Sequence, residues 1–106
     1  MSASKPDIVF EVGYLPQDAQ ASLEALEMIL AAAALEMSLV VMFDINPSLW
    51  LAGPNSKRWR QLIDFGLAEL LTTQAFDSQL DMLPVRRIEA SEAQQIRANA
   101  RTILVL

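Results

Sequence analysis

The sequence predicts an α/β domain: three layers, α/β/α, around a mostly parallel five-stranded sheet. Three observations carry this. Short continuous apolar runs alternate with segments of helical period along the chain. The run Leu39-Val40-Val41-Met42-Phe43 shows no apolar/polar alternation, which suits a strand covered on both faces between helix layers. Gly66 interrupts what would otherwise be one long helix leading into Glu69-Leu70-Leu71-Thr72-Thr73-Gln74-Ala75-Phe76. An interior glycine costs a helix about 1 kcal/mol relative to alanine, and the pair Thr72-Thr73 favours strand. That stretch sets the strand count: as helix it leaves four strands, and as strand it makes five.

The elements follow in order. Asp7 to Val12 is an apolar run ending at Gly13 and reads as the first strand. Tyr14 to Gln17 is a loop, and Asp18 is placed to cap a helix running to about Leu35. Leu23, Leu26, Leu30 and Ala33 share one face of that helix, with Met28 and Ile29 expected off the stripe. A helix apolar on more than one side calls for a second partner, so contact with a neighbouring subunit is expected. Ser38 to Phe43 is the second strand, bounded by Asp44. Asn46-Pro47 opens a turn of helix carrying Leu49, Trp50 and Leu51, which Gly53-Pro54 stops. Ser56 is placed to cap the next helix, where Trp59, Leu62 and Ile63 share a face and Gly66 ends it.

Beyond the strand at 69–76 and a polar spacer, Leu83 to Glu89 holds a proline and two arginines, which suits an edge strand. Ser91-Glu92-Ala93-Gln94 has the spacing of a capping box, opening a helix to about Ala98. Thr102 to Leu106 is an apolar strand expected to be tied into the sheet.

Composition narrows the chemistry. With 106 residues and 53% apolar content, the chain fits one domain, 1–106, with a real core. No apolar run nears the roughly 18 to 20 residues of a membrane span, and residues 1–5 carry no apolar signal segment. A cytoplasmic protein with no membrane partner is expected. The chain has no cysteine and no histidine. Thiolate nucleophiles, Ser-His and Cys-His dyads, and Cys/His zinc sites are therefore excluded.

The net charge is −5, with one base against seven acids in residues 1–53 and seven bases against six acids in residues 54–106. Direct nucleic-acid binding is not expected from such a balance. Lys57-Arg58-Trp59-Arg60 reads as a solvated first turn of helix rather than a nucleic-acid patch.

In an open parallel sheet, ligands bind beyond the carboxyl ends of the strands. Tyr14, Asp44, Asn46, Trp50, Thr73 and Gln74 fall there and form the candidate ligand-binding set of a small-ligand binding domain. Glu11 and Asp44 are expected to end neighbouring strands. Two carboxylates can hold Mg²⁺, but solvated or capping roles are the commoner use of such residues, and no metal site is assigned. With only three glycines, no GxGxxG or Walker A loop can be written, and no cofactor is expected. Trp50 and Trp59 suit core or interface positions better than ligand stacking, and Met28, Met37 and Met42 suit packing. Thr72 and Thr73 have no nearby base to activate them, so no catalytic residue is assigned.

The opening strand, the alanine-rich helix of residues 21–35, the strand Leu39 to Phe43 and the following Leu49-Trp50-Leu51 together resemble the DsrE/DsrF-like family, closest to its DsrF/TusC type. Phe65-Gly66-Leu67-Ala68-Glu69-Leu70 and Ile103-Leu104-Val105-Leu106 extend the likeness along nearly the whole chain. The resemblance implies a cytoplasmic α/β/α domain with a five-stranded parallel sheet. It also implies homo-oligomers, or hetero-oligomers with DsrE/DsrH-like paralogues. Active members pass persulfide sulfur in tRNA thiolation or sulfur oxidation, with the relay thiol near the end of the strand aligned with residues 69–76. Here that place offers Thr72, Thr73 and Gln74. A hydroxyl cannot hold a persulfide, so the expectation is a non-catalytic subunit, structural or regulatory in a sulfur-relay assembly.

Overall fold

Five strands form one sheet in which every neighbouring pair is parallel, in the order β4-β3-β2-β1-β5. The computed structural model describes residues 5–13, 19–45, 56–74 and 85–106. Within them the elements are β1 (Ile8–Val12), α1 (Ala19–Ala34), β2 (Leu39–Phe43), α2 (Ser56–Asp64), β3 (Glu69–Thr72), β4 (Val85–Arg87), α3 (Ala90–Asn99) and β5 (Thr102–Val105). Residues 69–76 thus begin as strand, as expected, and the strand stops at Thr72. Asp18, the 46–51 turn and residues 75–84 lie outside the described residues.

The topology follows from the hand of the crossovers. β1, β2 and β3 step across the sheet in one direction, and α1 and α2, which connect them, pack on one face. α3 carries the chain back from β4 at one edge to β5 at the other, and packs on the opposite face. Right-handed crossovers that run in opposite directions must lie on opposite faces. This makes the three layers.

Strand residues divide between the faces by their period of two. Phe10, Val12, Val41, Phe43 and Leu70 meet Leu26 and Ile29 of α1 and Trp59 and Leu62 of α2. Val9, Val40, Met42 and Leu71 meet Ile88 and Ala93 on the other side. All five residues of β2 are buried, as its unbroken apolar run requires. Each large side chain buried in this way contributes about 1.5–3 kcal/mol of transfer free energy. Trp59 is fully buried, with its ring centroid 6.1 Å from that of Phe43, so it is a core residue. Lys57, Arg58 and Arg60 on the same helix are exposed.

Three readings of the sequence are corrected here. Ile29 does not lie off the apolar stripe of α1: it is fully buried beside Leu26. The stripe is centred between those two residues, which stand 60° apart around the helix. Met28 is turned away from it and is 50% exposed, and Met37 is also exposed, so of the three methionines expected to pack only Met42 does. Ser91-Glu92-Ala93-Gln94 is not a capping box. The helix starts earlier, with Glu89 in extended conformation as the N-cap residue and no side-chain cap bond. Glu89 O already accepts from Ala93 N at 3.0 Å, which leaves Ser91 inside the first turn.

Gly66 ends α2 as the spacing suggested. Its φ is +64°; Gly66 N donates to Ile63 O (3.0 Å) and Leu67 N to Leu62 O (2.8 Å), the paired bonds of a Schellman motif. At the end of α1 the same left-handed position is held by Glu36, at φ 60°, where a side chain is disfavoured. Gly66→Ala is therefore expected to destabilise the fold by about 1 kcal/mol and Glu36→Gly to stabilise it by about 0.5–1 kcal/mol. Urea denaturation midpoints at constant slope check both.

Candidate functional site

The parallel sheet places the ends of β1, β2 and β3 side by side. Asp44 N donates to Val12 O at 2.9 Å, which extends the β1–β2 ladder by one step. Gly13, Asp44 and Thr73-Gln74 therefore share the carboxyl edge, as the sequence suggested. Of the six candidate ligand residues, Asp44, Thr73 and Gln74 are described; Tyr14, Asn46 and Trp50 lie outside the described residues. Thr73 is half-buried and Gln74 exposed.

Thr72 is the buried polar residue of this edge, with no exposed surface. Its Oγ1 donates to Phe43 O (3.0 Å) and accepts from Gln74 N (3.0 Å). The first bond ties the tip of β3 to the tip of β2; the second caps the turn that leaves the sheet. Thr72 O in turn accepts from Ile88 N at 2.8 Å, on the β4 side. The hydroxyl joins the ends of β2 and β3, the backbone carbonyl adds the link to the β4 side, and the hydroxyl is not presented to solvent.

Glu11 and Asp44 end neighbouring strands on the same face. Glu11 is in register with Met42, two residues before Asp44. Between the two carboxylates lies the guanidinium of Arg97 from α3. Its Nε is 2.9 Å from Glu11 Oε2, and its Nη2 is 3.0 Å and 3.3 Å from the two oxygens of Asp44. The Glu11, Asp44 and Arg97 side chains are 20%, 39% and 27% exposed. Charge-assisted bonds of this length are the strong kind, and partial burial limits their screening by salt. The arrangement fixes α3 against β1 and β2. It also opposes Mg²⁺ binding by Glu11 and Asp44, because a cation would have to displace the guanidinium. Among the described residues, no group of three acidic side chains stands close enough to hold a metal ion.

Arg97 had no sequence signal for this role. It lies 86 residues from Glu11 and 53 from Asp44. The feature that could have suggested it is the crossover itself: α3 must pass beneath the central strands, and helical side chains lean back toward the helix N-terminus, here the carboxyl edge of the sheet.

A depression of about 400 Å³ lies at the other edge, where Met37, Ser38 and Leu39 at the start of β2 face Ile63, Gly66 and Leu67 at the end of α2. It is remote from the carboxyl edge, and among the described residues Glu69 is the one charged residue lining it. Among the described residues no helix is long and apolar enough to cross a membrane.

Thr72→Val leaves Phe43 O and Gln74 N without their buried partner and is expected to cost about 1–3 kcal/mol. Arg97→Ala, which leaves two neighbouring carboxylates uncompensated, is expected to cost about 1–2 kcal/mol at low ionic strength, less in molar salt. Denaturation at two salt concentrations measures both. No protein-family model and no curated protein matches the chain.

Proposed function

We propose that this protein is a non-catalytic DsrE/DsrF-like subunit, structural or regulatory in an intracellular sulfur-relay assembly, or a homo-oligomer of the same descent. One observation carries the reading. At the strand end where a relay member would keep its thiol, the buried Thr72 hydroxyl is committed to Phe43 O and Gln74 N, so the place serves architecture. The all-parallel five-stranded sheet between helix layers supports the same descent. So do the exposed apolar side chains of Met28 and Leu35 on and just after α1, which an oligomer would cover. A cytoplasmic location goes with this reading.

A second reading is a small-ligand binding domain that uses the carboxyl edge. The accessible Thr73 and Gln74 side chains favour it, while the engagement of Asp44 by Arg97 takes one of its anchors. A thermal-shift screen of nucleotides, anions and metals that raises the melting temperature would support this reading.

Affinity purification of the chain from its own cells tests the first reading. A stoichiometric DsrE- or DsrH-like partner carrying a cysteine is expected, with persulfide sulfur found on the partner alone. Recovery of the chain without such a partner, and as a monomer by light scattering, overturns it.

A further inference from the structure

The two edges of the sheet are built differently. β4 carries Arg86 and Arg87, both exposed, and Arg86 is further held by Glu69 (3.4 Å) and Glu92 (3.3 Å). Charges of this kind guard an edge against pairing with another chain. β5 has no such device. Residues 102–106 read Thr-Ile-Leu-Val-Leu, without charge, proline or glycine. Ile103, Leu104 and Val105 are 41%, 37% and 70% exposed. Among the described residues no strand pairs with the outer side of β5.

We propose that β5 pairs antiparallel with β5 of a second copy of this chain, joining two sheets across a two-fold axis. The proposal rests on the oligomer expected above and adds to its α1 positions a second surface, the β5 edge, with its register. Thr102 N donates to Asp7 O and Leu106 N to Glu11 O, so the backbone groups of these residues, and of Leu104 between them, point inward to β1. By the alternation of a strand, the N–H and C=O of Ile103 and Val105 point outward. An axis through Leu104 sets Ile103 opposite Val105 of the partner and Val105 opposite the partner's Ile103. All outward groups are then satisfied, by four hydrogen bonds. This register pairs the whole uncharged stretch 102–106 and keeps Arg101 outside it, so no like charges meet. β-branched residues face each other on one side of the sheet, and the two Leu104 side chains face each other on the other.

A second copy fits this edge better than a filament of copies. Pairing β5 with β5 uses up the unguarded edge of each copy, leaves only the charged β4 edges outside, and closes the assembly. Pairing β5 with β4 of the next copy would place the uncharged strand against Arg86 and Arg87.

The absence of cysteine makes the test direct. In the proposed register the two Leu104 residues form a non-hydrogen-bonded pair, with Cα atoms about 4.5 Å apart, within the reach of a disulfide. Thr102 and its copy would be separated by about 13 Å along the strands. Under mild oxidation Leu104→Cys is expected to give a covalent dimer and Thr102→Cys to remain uncrosslinked. By light scattering the unmodified chain should run at twice its 11.7 kDa mass, and Val105→Lys, whose side chain is exposed and whose N–H points outward, should run as a folded monomer by circular dichroism. A wild-type monomer, an oligomer unchanged by Val105→Lys, or equal crosslinking of both cysteine variants overturns the pairing. An oligomer that survives Val105→Lys, together with a cysteine-bearing partner, leaves the relay reading standing. The Leu104→Cys crosslink without such a partner removes the relay-assembly form of that reading, leaves its homo-oligomer form and keeps the edge pairing.

Discussion

A parallel sheet must be covered on both faces, and the rest of this molecule follows from how a short chain meets that demand. β2 lies in the middle of the order β4-β3-β2-β1-β5 and is buried along its whole length. Two crossovers, α1 and α2, cover one face with large side chains such as Leu26, Ile29, Trp59 and Leu62. On the other face, among the described residues, α3 supplies the cover, with Ala93 fully buried and Ile96 partly so. It is a short helix with small contact residues, and it must also cross the width of the sheet. Spanning four strand intervals takes about 19 Å. That diagonal course brings Arg97 to Glu11 and Asp44, and on the same face it leaves Ile103 and Val105 of β5 exposed.

The polar groups at the carboxyl edge are arranged as joints. Thr72 binds the tip of β3 to β2, and Asp44 and Glu11 bind the tips of β2 and β1 to α3 through Arg97. In an α/β protein this edge is where ligands are usually held. Side chains already satisfied by neighbours have little left to offer a substrate, and no member of this set is an activated nucleophile. Thr72, Glu11 and Asp44 therefore contribute order, and among the described residues exposed apolar side chains lie elsewhere, on α1 and along β5. Interaction between chains is the kind of function such surfaces serve.

The amino edge shows the same economy in reverse. Asp7 Oδ2 accepts from Ser38 N at 2.8 Å, and Asp7 N donates to Ser38 O at 2.8 Å, starting the β1–β2 pair. Thr102 N reaches Asp7 O at 3.1 Å and starts the β1–β5 pair. One residue thus opens both ladders of β1. The three adjoining strand starts are joined by backbone bonds that hydrophobic pattern alone cannot reveal.

The sequence by itself determined the class of fold and the end of α2 at Gly66, and it favoured strand over helix for the stretch 69–76, of which 69–72 is strand. Each rests on a local cause: an unbroken apolar run, a glycine that alone relaxes at positive φ, a pair of β-branched residues. It also excluded thiol and imidazole chemistry, since those side chains are missing. Only the tertiary structure decided where Ile29 and Met28 point, that Glu89 rather than a capping box starts α3, that Arg97 occupies the space between Glu11 and Asp44, and that β5 is an unguarded edge. These depend on which strand lies beside which, and the order of strands is set by crossover hand and by packing between residues far apart in the chain, which no local pattern of residues encodes.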